Sequence, residues 1–303
     1  MYDLPIPHGD KLNALLENEK LPKTDRVRIS EAIRQYGGWL GKLKSIADEN
    51  RETESRMVGI LNEYKQYIEL NVIFDSEDDF LYRQKGQLKL DNTILEDFLP
   101  ILLASTLADS IRTSGLHFGP VTSFSGIRFE SNMIADQVGG GMQVRTKDHD
   151  FAISKRLFIR SSHQRDFHST VTKETNIAYV AAECKTNLDK TMFQEAAATA
   201  LDVKLAVPGA KYFLLCEWLD MLPINTSTTA IDEILILRRA KRLPSDVRRE
   251  FSTVAGRIRN RDRFVQHLET NPLSISVFSR FLDHIRELVE ENPINDVLTR
   301  GYF

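Results

Sequence analysis

The sequence predicts an α/β protein: a mixed central sheet flanked by helices, with a helical N-terminal region and further helices at the C-terminus. Three observations carry that expectation. Residues 1–90 repeat apolar side chains at threes and fours. Beyond about residue 91, short apolar segments alternate with glycines and polar turns, as strands do. Three apolar runs, 177–184 (IAYVAAEC), 212–216 (YFLLC) and 231–237 (IDEILIL), suit strands in the middle of a sheet, and a helical stretch separates the first two.

Leu12, Leu15 and Leu16 form the first helical stripe. Thr24-Asp25 starts a second helix through Ile29, Ile33 and Tyr36, which Gly37-Gly38 should interrupt. A third helix carries Met57, Ile60, Leu61, Tyr64, Tyr67 and Ile68. The acidic stretch 75–79 (DSEDD) reads as a solvated loop and as a boundary between a module over 1–90 and one over 91–303, the latter with its core at about 91–237. Asp91-Asn92 would cap an apolar helix, TILEDFLPILLASTLADSI, kinked at Pro100.

Strands are expected at 121–129, 142–144 and 151–159, with Gly139-Gly140-Gly141 as a turn and a bend at Ser154 or Lys155. The segment 161–176 is polar and reads as a loop. Asp189 caps a helix over 189–207, which Pro208-Gly209 closes. Helical patterns return at 251–268 and 276–289.

Composition narrows the functional classes. The chain has 303 residues, 42% hydrophobic and 27% charged, which is ordinary globular usage and excludes collagen-like, low-complexity and wholly disordered chains. Cys184 and Cys216 form no C-x-x-C, so a structural zinc site has no support. No apolar run approaches the ~20 residues of a spanning helix. The N-terminus MYDLPIPHGDKLNALL has no basic segment followed by an apolar one. The expected setting is the bacterial cytoplasm, with no membrane partner. There is no G-x-S-x-G, no P-loop and no G-x-G-x-x-G after a strand.

The chemistry concentrates at Ala182-Glu183-Cys184-Lys185. Strand side chains alternate, so Glu183 and Lys185 share one face at the polar end of a buried strand while Cys184 takes the other. An acid and an amine placed so suit metal-dependent phosphodiester hydrolysis, the acid holding a cation and the lysine stabilising charge or helping to activate water. Such a site needs a second carboxylate from a neighbouring strand. Asp150 heads the apolar segment 151–159 and is preferred to Asp148, two positions earlier. Gln194 and Glu195 on the following helix, and Glu96 on the apolar helix, are possible supporting residues. His149, His163 and His168 read as solvated loop histidines.

ECKTNLDKTMFQEA, running on through AATALDVKLAVPGAKYFLLCEWLDM and TAIDEILILRRAKR, resembles the BbvCI-type restriction endonucleases of the PD-(D/E)XK nuclease superfamily, over about residues 140–260. The resemblance implies a PD-(D/E)XK core and a Mg²⁺-dependent endonuclease. It implies metal ligation by Asp150, Glu183 and the Cys184 carbonyl, with Lys185 as the lysine. It implies double-stranded DNA as substrate and a related second subunit, so that each subunit cuts one strand; a homodimer is the other arrangement. His149 stands where the superfamily pattern has proline. The alternatives are a repair or junction-resolving nuclease on the same core, and a DNA-binding protein without catalysis.

Charge supports a DNA surface locally. The chain carries a net −3, yet residues 238–263 hold ten Lys/Arg against three acids. Arg238, Arg239, Arg242, Arg257, Arg259 and Arg261 are the expected phosphate contacts. Residues 1–90 are assigned to DNA recognition or subunit contact.

Overall fold

The computed structural model describes residues 6–46, 51–107, 115–130, 134 and 137–290. Five helices come first: α1 Pro7–Glu17, α2 Lys23–Lys44, α3 Arg51–Gln66, α4 Phe80–Leu88 and α5 Thr93–Thr106, with a π-helical segment Tyr67–Phe74 extending α3. Then come β1 His117–Arg128, β2 Gln143–Ser161, β3 Val171–Leu188, α6 Lys190–Ala206, β4 Lys211–Leu219 and β5 Glu233–Lys241. Four helices close the described chain: α7 Ser245–Glu250, α8 Val254–Arg259, α9 Arg261–Thr270 and α10 Ile275–Glu290.

The sheet order is β1-β2-β3-β4-β5. β1, β2 and β3 pair antiparallel, while β3, β4 and β5 run parallel. β3 is therefore the strand at which the pairing changes, and it carries the Glu-x-Lys segment. Its parity divides the core. Ala182 and Cys184 pack with Phe98, Phe278 and Phe281 on the side of α5 and α10. Ala181 packs with Phe193, Ala196 and Ala200 of α6. α5 is buried at every position from Thr93 to Leu103, because the N-terminal helices cover one side of it and the sheet the other.

A bulge re-aims β2 at the position that matters most. Gly119 pairs with Ala152, but Val121 pairs with His149, so Asp150 and Phe151 together oppose Pro120. Proline offers no N–H to the ladder, which suits that position. Across the bulge the parity reverses. Lys147 reaches α6, with Nζ 3.0 Å from Asp202, while Phe151 enters the core beside Phe281.

Several expectations change. Gly37-Gly38 does not break α2, which runs on so that Trp39 and Leu43 continue its buried stripe. Pro100 sits inside α5; residues 108–111 of that expected helix lie outside the described residues, as do 1–5 and 291–303. Residues 143–144 and 151–159 belong to one long strand, while Met142 lies just before it. The expected loop 161–176 is a loop only over 162–170. From Val171 it is strand, polar because Thr172, Lys173 and Glu174 meet solvent. The 251–268 helix is two, broken at Asn260. The hydrophobic core also crosses residue 90 without interruption, joining Leu12, Ile29 and Leu61 to Phe151 and Phe213. No helix among the described residues is long and apolar enough to cross a membrane.

Candidate active site

Glu183 and Lys185 project towards α6 from the end of β3, and they pair directly: Lys185 Nζ is 3.0 Å from Glu183 Oε2. The other carboxylate oxygen, Oε1, accepts a hydrogen bond from Tyr212 Oη at 2.6 Å. Burial pushes the Glu183 carboxyl up, but the Tyr212 hydroxyl and the Lys185 ammonium outweigh it and leave the group below its usual range. Burial likewise pulls the Lys185 ammonium down, and Glu183 and then Asp150 reverse that, holding it charged. Lys185 keeps 32% of its side-chain surface exposed, so a solute can reach the amine.

Asp150 approaches from the neighbouring strand. Its Oδ2 accepts the Cys184 backbone N–H at 2.9 Å, which ties the bulge of β2 to the middle of Glu-x-Lys. Its Oδ1 lies 3.9 Å from Lys89 Nζ. Lys89 follows α4 with left-handed φ 50, a conformation that favours glycine and costs on the order of 1 kcal/mol or more in lysine. Asn92 was expected to cap α5. Instead it donates from Nδ2 to the Cys184 carbonyl at 2.8 Å, leaving Oδ1 buried without a partner among the described residues.

Glu96 is the buried acid on this side. Burial and then the negative charge of Asp150 raise its carboxyl to about 7, and its Oε1 has no hydrogen-bond partner among the described residues. Two carboxylates that repel, one with an orphaned buried oxygen, mark a place where positive charge is missing. Oxygen donors of this kind fit a hard divalent cation. The gathering is incomplete, however. Among the described residues no three His, Cys, Asp or Glu side chains are grouped to hold a metal together.

The remaining expected residues fall unevenly. Asp148 is exposed on β2 and accepts a hydrogen bond from Thr122 of β1. Gln194 and Glu195 are exposed on α6. Asp189 caps α6, accepting from Met192 N at 2.9 Å. His149 is no solvated loop residue: it is buried, 2.9 Å from Ser123 Oγ, and its ring meets Tyr212 edge-on at 6.4 Å. Burial keeps it below its usual pKa despite Glu183 nearby. Cys184 and Cys216 are buried and free, and burial holds both thiols high.

The basic segment does not form one surface. Arg238 is only 5% exposed. It binds Glu69 Oε2 at 2.6 Å, Glu217 Oε2 at 3.2 Å and the Asn271 carbonyl at 2.9 Å. Arg257 is 2% exposed and donates to the carbonyls of Phe74, Ser76, Asp78 and Phe251. Both are interior groups with their donors engaged, so neither can face DNA. Arg261 pairs with Asp75 through two bonds of 2.9 Å, and Arg242 pairs with Asp220 at 3.0 Å. Asp75 and Asp79 of the expected acidic loop are thus partners of this arginine-rich segment. Arg239 and Arg259 are exposed.

Tyr212, Lys89 and Asn92 are the site residues that sequence reasoning missed. Tyr212 reads as one more apolar strand residue, and the other two sit at a helix junction with no motif. Only Asn92 carried a signal, read as a cap.

The family model for the Bpu10I restriction endonuclease matches residues 87–303. No curated protein matches the chain. Among solved structures, one described as the native BbvCI A2B2 tetramer at low resolution superposes with a TM-score of 0.53 and 20% identity, over 77% of this chain and 83% of that chain. At that identity the likeness is one of fold: a mixed five-stranded sheet between helices.

Proposed function

The chain belongs to the Bpu10I restriction endonuclease family, and from that premise we propose that it hydrolyses one strand of a specific double-stranded DNA site in a Mg²⁺-dependent reaction. The observation that carries the reading is the junction of Asp150 with Glu-x-Lys: Asp150 Oδ2 on the Cys184 N–H, beside the Glu183–Lys185 pair.

Asp150 and Glu183 are the residues to hold the cation, with Glu96 as a supporting acid and the Cys184 carbonyl between the two charged side chains. Bound magnesium supplies Lewis-acid polarisation of the scissile phosphate. Lys185 brings its ammonium to the attacked phosphate and offsets negative charge that grows during the reaction. Tyr212 fixes the Glu183 carboxylate by donating from Oη, so that the acid does not need to reorganise when substrate arrives. Lys89 balances Asp150 from the solvent side. One such site cuts one strand, so double-strand cleavage calls for a second subunit. The A2B2 assembly of the structural relative supports a related partner chain.

The test is cleavage of long duplex DNA with and without Mg²⁺, by this chain alone and with a related subunit. Discrete fragments that need Mg²⁺ and both chains are expected. DNA binding without metal-dependent strand breaks under every condition would refute the reading and favour a non-catalytic binding protein.

A further inference from the structure

A cavity of about 230 Å³ opens at the carboxyl edge of the parallel strands, and the active-site reading leaves it unassigned. Its walls include Thr186, the residue after Lys185, with Trp218 from β4 and Arg242 from just beyond β5. Ligands of open α/β sheets collect at that edge.

Its charges do not balance. Arg242 and Arg248 share a single carboxylate oxygen, Asp220 Oδ2, at 3.0 and 3.5 Å. Glu69, which also lines the cavity, is already engaged by Arg238 at 2.6 Å. Lys85 stands over the Tyr82 ring at 4.5 Å, with no carboxylate at ion-pair distance among the described residues. Asp91 and Glu69 pull on its ammonium from farther away, yet burial prevails and its pKa falls. Of the side chains that line the cavity, Lys85, Arg242 and Arg248 are cationic and Glu69 and Asp91 are anionic, an excess of one positive charge. A half-buried, unpaired ammonium costs stability unless a ligand answers it.

We propose that this cavity is an anion subsite that takes a backbone phosphodiester of the DNA strand, beside the phosphate that is hydrolysed; DNA as the source of that phosphate rests on the nuclease reading. The aromatic walls argue against a base. The Trp218 ring already carries His267 stacked at 4.4 Å and Arg238 at 4.8 Å. The Tyr82 ring carries Lys85 at 4.5 Å and Arg257 at 5.3 Å. What remains to be satisfied is cationic, and Thr186 adds a hydroxyl at the same rim.

Lys85→Met separates a ligand-binding role from a structural one. Duplex binding is measured against salt concentration with Ca²⁺ in place of Mg²⁺, and the melting temperature of the free protein is measured alongside. The variant should bind duplex about tenfold more weakly and lose about 0.9 from the salt slope, one phosphate contact, while melting no lower than wild type. An unchanged affinity and slope would overturn the proposal, and so would a fall in melting temperature with an unchanged slope. Inorganic phosphate is the second arm. It should stabilise wild type more than Lys85→Met and compete with duplex. Stabilisation by phosphate without competition would assign the cavity to free phosphate instead, and overturn DNA as its ligand. Wild-type cleavage in the same preparation separates the two readings, since duplex binding without cleavage sinks the nuclease reading and leaves the subsite standing.

Discussion

Two clusters of charge lie on neighbouring strands, and they are built in opposite ways. At the β4–β5 end, Lys65, Glu69, Glu217 and Arg238 are all buried. Their charges cancel in pairs, at 2.7 Å for Lys65 with Glu217 and 2.6 Å for Arg238 with Glu69. At the β2–β3 junction, Asp150, Glu183, Lys185 and Lys89 stay partly exposed, and Glu96 behind them keeps an unpartnered oxygen. The first cluster is closed: each of its charges has an opposite charge within ion-pair distance. The second is open towards solvent and short of positive charge on its Asp150–Glu96 side. Charge in a sequence does not distinguish the two states; depth and partner count do.

The largest expected effect is on the open cluster. Glu183→Gln or Lys185→Ala should lower metal-dependent cleavage about a hundred- to a thousandfold, the scale seen when a group stabilising transition-state charge is lost. Urea unfolding should show little change, because both side chains are partly exposed.

The closed cluster should respond in reverse. Arg238→Met leaves Glu69 and Glu217 buried with less positive charge, and it should cost about 3–5 kcal/mol in urea unfolding. Cleavage per folded molecule should stay near wild type.

Glu96→Gln sharpens the contrast between them. It removes a buried acid that has no donor for one oxygen, so the metal-free protein should melt no lower than wild type. The rise in melting temperature on adding Mg²⁺ should shrink, since a ligand that binds only the native state stabilises in proportion to its affinity. An undiminished Mg²⁺ shift in this variant removes Glu96 from the cation site.

A third, closed group shows its effect only in acid. His8 contacts Tyr64 Oη at 2.9 Å and Thr93 Oγ1 at 3.1 Å, and burial lowers its pKa to about 3. An unfolded histidine titrates near about 6.5. The unfolded chain therefore takes up the proton first. The stability that His8 contributes is present above pH 6.5 and is lost as pH falls from there towards 3. The slope from this group is at most about 1.4 kcal/mol per pH unit. His8→Asn should flatten that part of a pH series of urea unfolding curves.

This contrast also explains what could be read from the sequence. β3, β4 and β5 were legible because strands covered on both faces read as continuous apolar runs. Glu183 and Lys185 stood out because charge at the end of such a run is anomalous. Asp189 was legible as a cap because its reach to Met192 is local. What depends on tertiary register was not legible. The bulge that aims Asp150 is set by pairing with β1, and the Tyr212 hydroxyl meets Glu183 only because β4 lies beside β3. Arg238 and Arg257 counted as surface charge because composition carries no depth. The first residues of β3 read as loop because they extend the strand into solvent, where hydrophobic alternation has no work to do.

The most direct test of the central claim compares Lys185→Ala with Arg238→Met in one assay, scoring Mg²⁺-dependent strand breaks per folded molecule. The account predicts no breaks from the folded Lys185→Ala protein and near-normal breaks from the less stable Arg238→Met protein. Normal cleavage by Lys185→Ala, or loss of cleavage confined to Arg238→Met, would contradict it.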